Sequence, residues 1–402
     1  MWFDESTSSS KTPKVCNYFV ENWIYQGHTV VVVPCPSAFP SIYYKLASLF
    51  PAIAKRICGD NCGISRIEPE GMYDYKGAVV YSTPLFKYIP HNSFSKKMLD
   101  KASSSLLEKL NTIEFKPDAI IGHFCNPTID IINRLAPKFP NAKTAVVLHE
   151  GSNTIRRIFK GESSKALNSL DSIGFRSVSI KDNITSQFKL TNYQFMCYSG
   201  IPSSFIERGY IEKKWTDAPV KSFLYVGRMA MYKHPQSIPE ALSKVYNKDN
   251  FTLRYIGSKD AAYKPTVDYC VQNNISDKVE FLGQIDRDEI IKWYDASECF
   301  VMISDHEVFG LVYLEAMARG CITIAGDNGG MVDIIEHGVN GFLCNPGDAN
   351  ALAAIIRQIN SMSSSERNAM SRKARETALK YSDEKVAQYY IENVLEQENR
   401  LS

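Results

Sequence analysis

The chain has 402 residues, which exceeds one ordinary hydrophobic core and suits two domains. Apolar residues make up 44% and charged residues 22%, a globular usage that excludes a disordered or fibrous protein. No apolar run reaches about 18 residues, which excludes a transmembrane helix. The ten cysteines are scattered without a zinc or CxxC pattern, and the N-terminus lacks the apolar core of a secretory signal. We therefore expect a reduced, cytoplasmic protein.

The two halves of the chain differ in charge, although the net charge is only +2. Residues 1–200 contain 23 Lys and Arg against 16 Asp and Glu, whereas residues 201–402 contain 23 against 28. A basic first half suits an anionic partner, and we expect peripheral contact with an anionic membrane. Ordinary compositional drift is the alternative. Nucleic acid is not an expected partner, because no basic run or basic-aromatic interleaving is present.

Short β-rich runs alternate with amphipathic helical patterns in the first half. The predicted strands are 28–35, 78–82, 118–122, 144–148 and 173–178. The predicted helices are 15–25, 95–111 and 128–138. Strands that alternate with helices predict βαβ units and a parallel sheet. Only three residues precede the polar segment that begins at Asp4, so the first strand is either very short or encoded upstream of Met1.

Residues 210–220 are polar, contain a proline and interrupt the alternation, which indicates an interdomain linker. Predicted strands then resume at 223–226, 252–256, 279–282, 299–303, 321–325 and 341–344. The predicted helices of this half are 236–246, 263–273, 286–294, 312–319, 349–360, 364–381 and 383–397.

This pattern predicts an α/β protein of two doubly wound Rossmann-like domains that face each other across a cleft. The predicted domains are residues 1–210 and 211–381, and a helix within 382–402 crosses back to the first domain. Ligands of doubly wound sheets bind at the carboxyl ends of the strands, so the cleft is where functional residues are expected.

The most informative segment is 304–321, SDHEVFGLVYLEAMARGC. Glu307 lies in the loop after a predicted strand, and Glu315 lies eight residues later, about two turns away on the following helix. Between them residues 309–311 (FGL) open the helix, and free N–H groups at a helix N-terminus bind phosphate or sugar oxygens. We expect Glu307 to contact one sugar and Glu315 another, such as a ribose, and we expect neither side chain to be needed for the core. A solvated pair of glutamates on a charged helix flank is the alternative.

This segment resembles the Glu-x7-Glu element of retaining glycosyltransferases of family 4, which have the two-domain GT-B fold. Residues 225–228 (YVGR) followed by Lys233 are similar to the Arg…Lys pair of that family, and 281–283 (FLG) to its turn before the nucleotide base. Residues 327–333 and 337–348 resemble its Gly-Gly turn and last strand. Shorter segments of the first half resemble strands of its acceptor domain: YQGHTVVVV, KPDAIIGH and TAVVLHE.

The resemblance implies an enzyme that moves a sugar from a nucleotide-diphospho-sugar to a hydroxyl acceptor with retention, in polysaccharide or glycolipid synthesis. It implies that the first domain binds a saccharide or lipid-linked acceptor and that the second domain binds the donor. A nucleotide-sugar epimerase of the same fold and a non-catalytic sugar-binding protein are the alternatives. An epimerase is expected to carry catalytic carboxylates in the first half, and the sequence shows none in a suitable position.

The same resemblance implies roles for individual residues. The implied catalytic residues are Glu307, Arg228, Lys233 and His123. The implied donor-binding residues are Glu315, Phe309, Gly310, Leu311, Gly227 and Gly283. His149 and Glu150 are implied on the acceptor side. Because two cations can neutralise a diphosphate leaving group, we expect no metal and no cofactor besides the donor.

Three positions depart from the family pattern or invite another interpretation. His234 follows Lys233 where the family usually has glycine, which alters the approach of the backbone to the phosphates. Residues 8–11 (SSSK) replace the glycine turn of the first domain. Residues 286–288 (DRD) match a metal-binding DxD pattern, but aspartates in a first helical turn are typical of capping, and we predict capping here.

Overall fold

Two groups of parallel strands organise the computed structural model, which describes residues 15–50, 71–87, 93–248, 250–305 and 307–396. The strands of the first half are β1 (Val31–Val32), β2 (Ser37–Ala38), β3 (Gly71–Tyr75), β4 (Ala78–Ser82), β5 (Leu85–Phe86), β6 (Ala119–His123), β7 (Lys143–Leu148), β8 (Ser172–Phe175) and β9 (Tyr193–Met196). Those of the second half are β10 (Ser222–Val226), β11 (Thr252–Ile256), β12 (Val279–Gly283), β13 (Cys299–Met302), β14 (Ile322–Gly326) and β15 (Phe342–Cys344).

Helices connect most of these strands. The α-helices of the first half are α1 (Val15–Tyr25), α2 (Ser41–Leu49), α3 (Lys96–Thr112), α4 (Thr128–Leu135), α5 (Ser152–Phe159), α6 (Ser163–Leu167), α7 (Val178–Thr185) and α8 (Ser203–Glu207). Those of the second half are α9 (Ser237–Tyr246), α10 (Tyr263–Gln272), α11 (Arg287–Ala296), α12 (Leu311–Ala318), α13 (Ala349–Ser361), α14 (Ser364–Ala378) and α15 (Asp383–Leu395). Short 3₁₀ helices lie at Ala136–Lys138, Lys160–Glu162, Met231–Lys233, Ser276–Lys278 and Leu379–Tyr381.

The second half forms one six-stranded parallel sheet in the order β12-β11-β10-β13-β14-β15. Its strands are almost wholly apolar and buried, as expected for a sheet covered by helices on both faces. The strand order reverses between β10 and β13, so the connections on the two sides of this point run in opposite directions across the sheet. This sheet confirms the predicted doubly wound arrangement, and it creates a topological switch point at the carboxyl ends of β10 and β13.

The first half is less regular than predicted. Four strands form a parallel sheet in the order β6-β7-β8-β9, whereas β1-β4-β3 and β2-β5 form two small separate sheets. The predicted strand at 28–35 is wrong in length: only Val31–Val32 pair with β4, because Pro34 and Pro36 cannot donate to a strand ladder. The sequence analysis also missed β3, which forms an antiparallel hairpin with β4.

Chain segments near residues 200 and 382 join the two halves. Ile201 and Ser382 form an isolated parallel bridge, and helix α15 packs against α1 and β7 of the first half. Residues from Ile201 onward contribute to the core of the second half. Buried Arg367 donates hydrogen bonds to the carbonyls of Thr216 and Ala218 and thereby fixes the segment interpreted as a linker. The boundaries at 210 and 381 remain predictions.

Within the described part of the chain, no helix is both long enough and apolar enough to cross a membrane.

Candidate functional site

A lysine and a glutamate meet at the switch point of the second sheet. Lys233 ends the 3₁₀ helix after β10, and Glu307 lies in the loop after β13. The Nζ atom of Lys233 lies 2.6 Å from Oε2 of Glu307, with 12% and 20% of the two side chains exposed. The fold therefore brings together two residues that the sequence analysis assigned to one site, in an ion pair that is still reachable from the cleft.

The backbone around Glu307 is held by glycines. The amide of Gly330 donates a hydrogen bond of 2.7 Å to the carbonyl of Glu307. A Cβ atom on Gly330 would lie 2.2 Å from the carbonyl oxygen of Val308, so only glycine permits this approach. Gly310 adopts a left-handed conformation with φ of 75°, which turns the chain into α12. These glycines explain why the Glu-x7-Glu segment and the Gly-Gly turn act as one unit.

Helix α12 begins at Leu311 without a side-chain cap. Phe309 is buried and stacks on Tyr198 of the first half, with ring centroids 5.5 Å apart. The side chain of Leu311 packs against the cores of both halves. Phe309 and Leu311 therefore use their side chains for packing between the halves, and their backbone groups are what they can offer to a ligand.

Three other residues that the sequence analysis assigned to the site are Gly227, Gly283 and Arg228. A Cβ atom on Gly227 would lie 3.7 Å from Nζ of Lys233, so the backbone of Gly227 borders the ion pair. Gly283 accepts a hydrogen bond from the amide of Gly257 and has φ of 71°. The Nε atom of Arg228 lies 3.3 Å from Oδ2 of Asp260 in the loop after β11, and 44% of the Arg228 side chain is exposed.

Glu315 is separated from Glu307 in a way that the sequence did not predict. Its side chain is buried between α11 and α12, where Arg287 approaches one carboxylate oxygen to 2.5 Å and Tyr294 donates a hydrogen bond of 3.0 Å to the other. Burial and the Glu315 carboxylate raise the pKa of Tyr294, which keeps it a donor. Glu315 therefore lies in the core. Because a buried carboxylate depends on such partners, we expect the core to need this side chain, contrary to the expectation from the sequence.

The three residues of the DRD triplet have different surroundings. Asp286 occupies the N-cap position of α11 but makes no side-chain capping hydrogen bond, and Arg287 turns to Glu315. Asp288 and Arg287 line a cavity of about 280 Å³ together with Tyr18 and Glu21 of α1. Among the described residues, no group of three or more His, Cys, Asp or Glu side chains converges as metal ligands do.

Two histidines meet at the carboxyl edge of the first sheet. His123 ends β6, His149 follows β7, and these parallel neighbours bring Nδ1 of His123 within 2.9 Å of Nε2 of His149. Burial and the nearby Arg176 guanidinium lower the pKa of His123 to about 3, and burial also lowers that of His149. Both rings are therefore neutral near pH 7.

The carboxylate of Glu150 folds back onto the backbone. It accepts hydrogen bonds from the amides of Cys125 and His149, at 2.5 and 3.0 Å. Glu150 thus fixes the loops that carry the two histidines. Each of its two carboxylate oxygens already accepts a hydrogen bond from a backbone amide. Of the acceptor-side pair implied by the resemblance, His149 contacts His123 and Glu150 supports the backbone.

Several relevant residues escaped the sequence analysis. Buried Arg176 donates to the carbonyl of Cys197 at 2.7 Å and also to the hydroxyl of Ser199. Asp333 accepts a hydrogen bond of 3.3 Å from the amide of Val178, at the start of α7, and so joins the two halves. A charged residue inside the apolar strand predicted at 173–178 was the available signal for Arg176, and Asp333 was marked only as the last residue of the Gly-Gly turn segment.

Two of the predicted departures have different outcomes. His234 has a left-handed backbone with φ of 47°, the conformation for which glycine is usual, and its ring lies against Gly347. The serine-rich segment at 8–11 and His306 lie outside the described residues.

The second half of the chain is similar in sequence to known proteins. Residues 211–377 match the family model of glycosyl transferases group 1. The N-acetyl-alpha-D-glucosaminyl L-malate synthase of Bacillus anthracis is 31% identical over 172 residues, which are 42% of this chain and 44% of that protein. The chain spans less than half the length of the curated relatives it matches.

Solved structures match over a larger part of the chain. A glycosyltransferase from Rickettsia africae ESF-5 superposes with a TM-score of 0.66 at 17% identity, covering 96% of this chain and 95% of that chain. The HepE protein of Anabaena, solved in complex with UDP and glucose, superposes with a TM-score of 0.58 at 16% identity, covering 91% and 99%. The chain therefore has the predicted GT-B fold, and its residues 211–377 form a domain of the glycosyl transferases group 1 type.

Proposed function

We propose that the protein is a retaining glycosyltransferase of the family 4 type. It transfers a sugar from a nucleotide-diphospho-sugar to a hydroxyl of a saccharide or lipid-linked acceptor. The observation that carries this proposal is the 2.6 Å pair between Lys233 and Glu307 at the switch point, where phosphate groups and sugars bind in doubly wound folds. The match of residues 211–377 to glycosyl transferases and the UDP and glucose bound by the Anabaena relative support a nucleotide-sugar donor.

In this mechanism the bond between the anomeric carbon and the leaving phosphate oxygen breaks, and a bond from that carbon to the acceptor oxygen forms on the same face. The acceptor proton passes to the leaving diphosphate, so no protein nucleophile or dedicated base is needed. Lys233, Arg228 and the N-terminus of α12 stabilise the charge that develops on the diphosphate. Glu307 orients the transferred sugar, and His123 contacts one of its hydroxyls.

Binding of the donor requires the Lys233–Glu307 pair to change partners. In the free protein the two charges neutralise each other, and a diphosphate would take over the lysine while sugar hydroxyls would take over the carboxylate. The exposed Arg228 guanidinium can turn from Asp260 to the same diphosphate. This exchange keeps both charges paired with and without the donor.

Glu315 takes the ribose in this proposal. Its carboxylate lies about one turn past the start of α12 at Leu311 and is already oriented by Arg287 and Tyr294. A ribose hydroxyl would add a donor to this network. The network therefore serves binding of a moiety that does not change during the reaction.

The assay that tests the proposal follows donor turnover in a panel of nucleotide sugars, with and without saccharide and lipid-linked acceptors. Acceptor-dependent release of the nucleoside diphosphate, with the product anomer matching that of the donor by NMR, is the expected result. Conversion of the donor to another nucleotide sugar without acceptor would favour the epimerase. Binding without any turnover would favour a sugar-binding protein.

Two further parts of the proposal have their own experiments. Because Arg228 and Lys233 supply the positive charge, activity should persist in EDTA; loss in EDTA with recovery in manganese would assign Asp286 and Asp288 to a metal. The basic first half suits an acceptor at an anionic membrane. Equal sedimentation with neutral and anionic vesicles would contradict that membrane contact.

A further inference from the structure

The contact between His123 and His149 goes beyond what the proposed function requires. Their strands are paired in register, with His123 opposite Val147, so the two rings are presented side by side. The Nδ1 atom of His123 and the Nε2 atom of His149 are 2.9 Å apart, which requires one hydrogen between them. This bond uses Nδ1 of His123 and Nε2 of His149, so the other nitrogen of each ring takes no part in it.

The surroundings hold both rings in place. Phe19 and Tyr390 lie against the ring of His123, with centroids 6.0 and 5.8 Å away. Phe124 stacks on the ring of His149 at 4.3 Å. The carboxylate of Glu150 binds the amide of His149, which fixes the backbone that carries that ring. Rotation of either ring is thus restricted, and the hydrogen bond selects among the remaining orientations.

A buried cation also acts on the pair. Arg176 follows β8, the next strand of the sheet, is only 2% exposed and is held by Cys197 and Ser199. A fixed cation and burial both oppose protonation of the histidines. Two neutral imidazoles share two protons, of which one lies in the bond. Each ring then has one free nitrogen, and if Nε2 of His123 is a donor, Nδ1 of His149 is an acceptor, or the reverse.

We propose that His149 is a positioning residue that fixes the orientation and the tautomer of His123 through this bond. The inference rests on the proposed function, in which His123 contacts a hydroxyl of the donor sugar. A hydroxyl can donate or accept, but the contact is reproducible only if the free nitrogen of His123 always has the same character. Without its neighbour, His123 exchanges between two tautomers, and only one of them matches the hydroxyl orientation that the site selects.

The direct test uses ring-nitrogen NMR of protein labelled with ¹⁵N at histidine, without donor. His123 and His149 should each show one neutral tautomer at pH 7, and it should be the same in both rings, with Nδ1 protonated in both or Nε2 protonated in both. In the variant His149→Phe, which keeps a ring for Phe124 to stack on, His123 should show averaged shifts of two tautomers. Unchanged His123 shifts in this variant, or a tautomer mixture in the unmodified protein, would overturn the proposal.

Activity supplies the second readout. His149→Phe should lower the turnover number about tenfold, the size of one hydrogen bond, with little change in the KM of the acceptor. His149→Gln, whose amide reaches the position of Nε2, should restore most of that loss, which a merely structural ring would not. His28→Phe removes an exposed histidine and is the matched control. Wild-type turnover in His149→Phe would contradict the positioning role.

The two readouts separate the proposal from the function on which it rests. If no nucleotide sugar is turned over by the unmodified protein, the proposed function fails while the donor-free spectra still decide the state of the pair. If His149→Phe fails to fold, the donor-free spectra of the unmodified protein and of His149→Gln give the answer. One tautomer common to both rings of the unmodified protein, and a single tautomer of His123 in His149→Gln, support the inference, whereas mixed tautomers reject it.

Discussion

The carboxyl edges of the two main sheets are built from different chemistry. At the edge of β10 and β13 an opposite-charge pair, Lys233 and Glu307, lies partly open to the cleft. At the edge of β6 and β7 two neutral histidines share a hydrogen bond beside a buried arginine. A charged edge suits a diphosphate, whose charge changes in the reaction, whereas a neutral edge suits sugar hydroxyls, whose charge does not.

The difference extends to how the two edges are held. The charged edge depends on backbone contacts that only glycine allows, such as that of Gly330 against Val308. The neutral edge depends on side chains, because aromatic rings and the Glu150 carboxylate hold the histidines. Variants at the charged edge should therefore change the turnover number most. Variants at the neutral edge should change the histidine tautomers and the free energy of unfolding.

The largest effect is expected from Glu307→Gln. The amide keeps the size of the side chain but loses the charge that pairs with Lys233. In the proposed mechanism the same charge faces a sugar ring that gains positive charge. The turnover number should fall about a hundredfold, since the interaction strengthens in the transition state. Steady-state kinetics at saturating donor measure this effect. Glu240→Gln, which alters a surface pair with Lys244, is the control. Wild-type turnover in Glu307→Gln would remove the charged edge from the mechanism.

Glu315→Gln separates binding from chemistry at the same edge. Loss of the carboxylate leaves Arg287 without its counter-charge in a buried position, so the free energy of unfolding should fall by about 2–3 kcal/mol. The variant should also raise the KM of the donor with little change in turnover number, because a ribose is unchanged in the reaction. Urea unfolding and donor titration measure the two effects.

A double-mutant cycle with Arg287→Gln is the control for this prediction. Additive losses in the two single variants would contradict the buried pair, and a lowered turnover number in Glu315→Gln with normal donor binding would reverse the roles of the two glutamates. Arg254→Gln, which alters the more exposed pair with Glu280, gives the reference for an ordinary ion pair.

Much of the charged edge was predictable from sequence. Glu307, Gly310 and Glu315 lie within nine residues, and their spacing on one loop and helix is a local property. The strands of that half were predicted to within a few residues, because a buried parallel strand is a continuous apolar run. Burial of Glu315 was not predictable, since Arg287 and Tyr294 lie on another helix. No residue near Glu315 in the sequence indicates that these two side chains pack against it.

The neutral edge could be predicted only in part. Both histidines follow apolar strands, which suggested the cleft, but their bond depends on β6 and β7 being neighbours in register. The first half also shows how local signals fail. Pro34 and Pro36 shorten the strand predicted at 28–35. The hairpin of β3 and β4 was missed, and the structure shows that Lys76 and Gly77 form its two-residue turn with positive φ angles.

Acid should weaken the neutral edge. The pKa of His123 is lowered in the folded protein to about 3 and that of His149 is also lowered, against about 6.5 in an unfolded chain. Between these values the unfolded state binds more protons, so the stability from the pair is full above about pH 6.5 and falls as the pH decreases. From pH 7 to 5 each histidine should remove up to about 2 kcal/mol of unfolding free energy.

The measurement compares urea unfolding at pH 7 and pH 5 in the unmodified protein and in His149→Phe. The variant lacks one of the two titrations, so its acid loss should be smaller by up to about 2 kcal/mol, whereas the control His28→Phe should match the unmodified protein. Equal acid losses in all three proteins would mean that the histidines are not kept neutral by the fold.

The smallest effect is expected from removing the contact between Asp333 and Val178, which joins the two halves. The Asp333 carboxylate, carried by the loop after β14, accepts a hydrogen bond from the Val178 amide at the N-terminus of α7 in the first half. Burial raises the pKa of Asp333, which shows that the contact is partly desolvated. The same loop supplies Gly330, whose amide binds the carbonyl of Glu307. Contact between the halves is thereby linked to the position of the Glu307 carboxylate.

Removing this contact with Asp333→Ala should cost about 0.3–1 kcal/mol, the size of a carboxylate interaction at a helix N-terminus. The turnover number should fall only a few-fold, because the glycine turn still holds Glu307 while the two halves meet less often in the productive arrangement. Asp268→Ala, which alters a surface pair with Lys264, is the control for loss of an aspartate. If Asp333→Ala matched Glu307→Gln in its effect on turnover, the two edges would act as one site; if it matched Asp268→Ala, they would act independently.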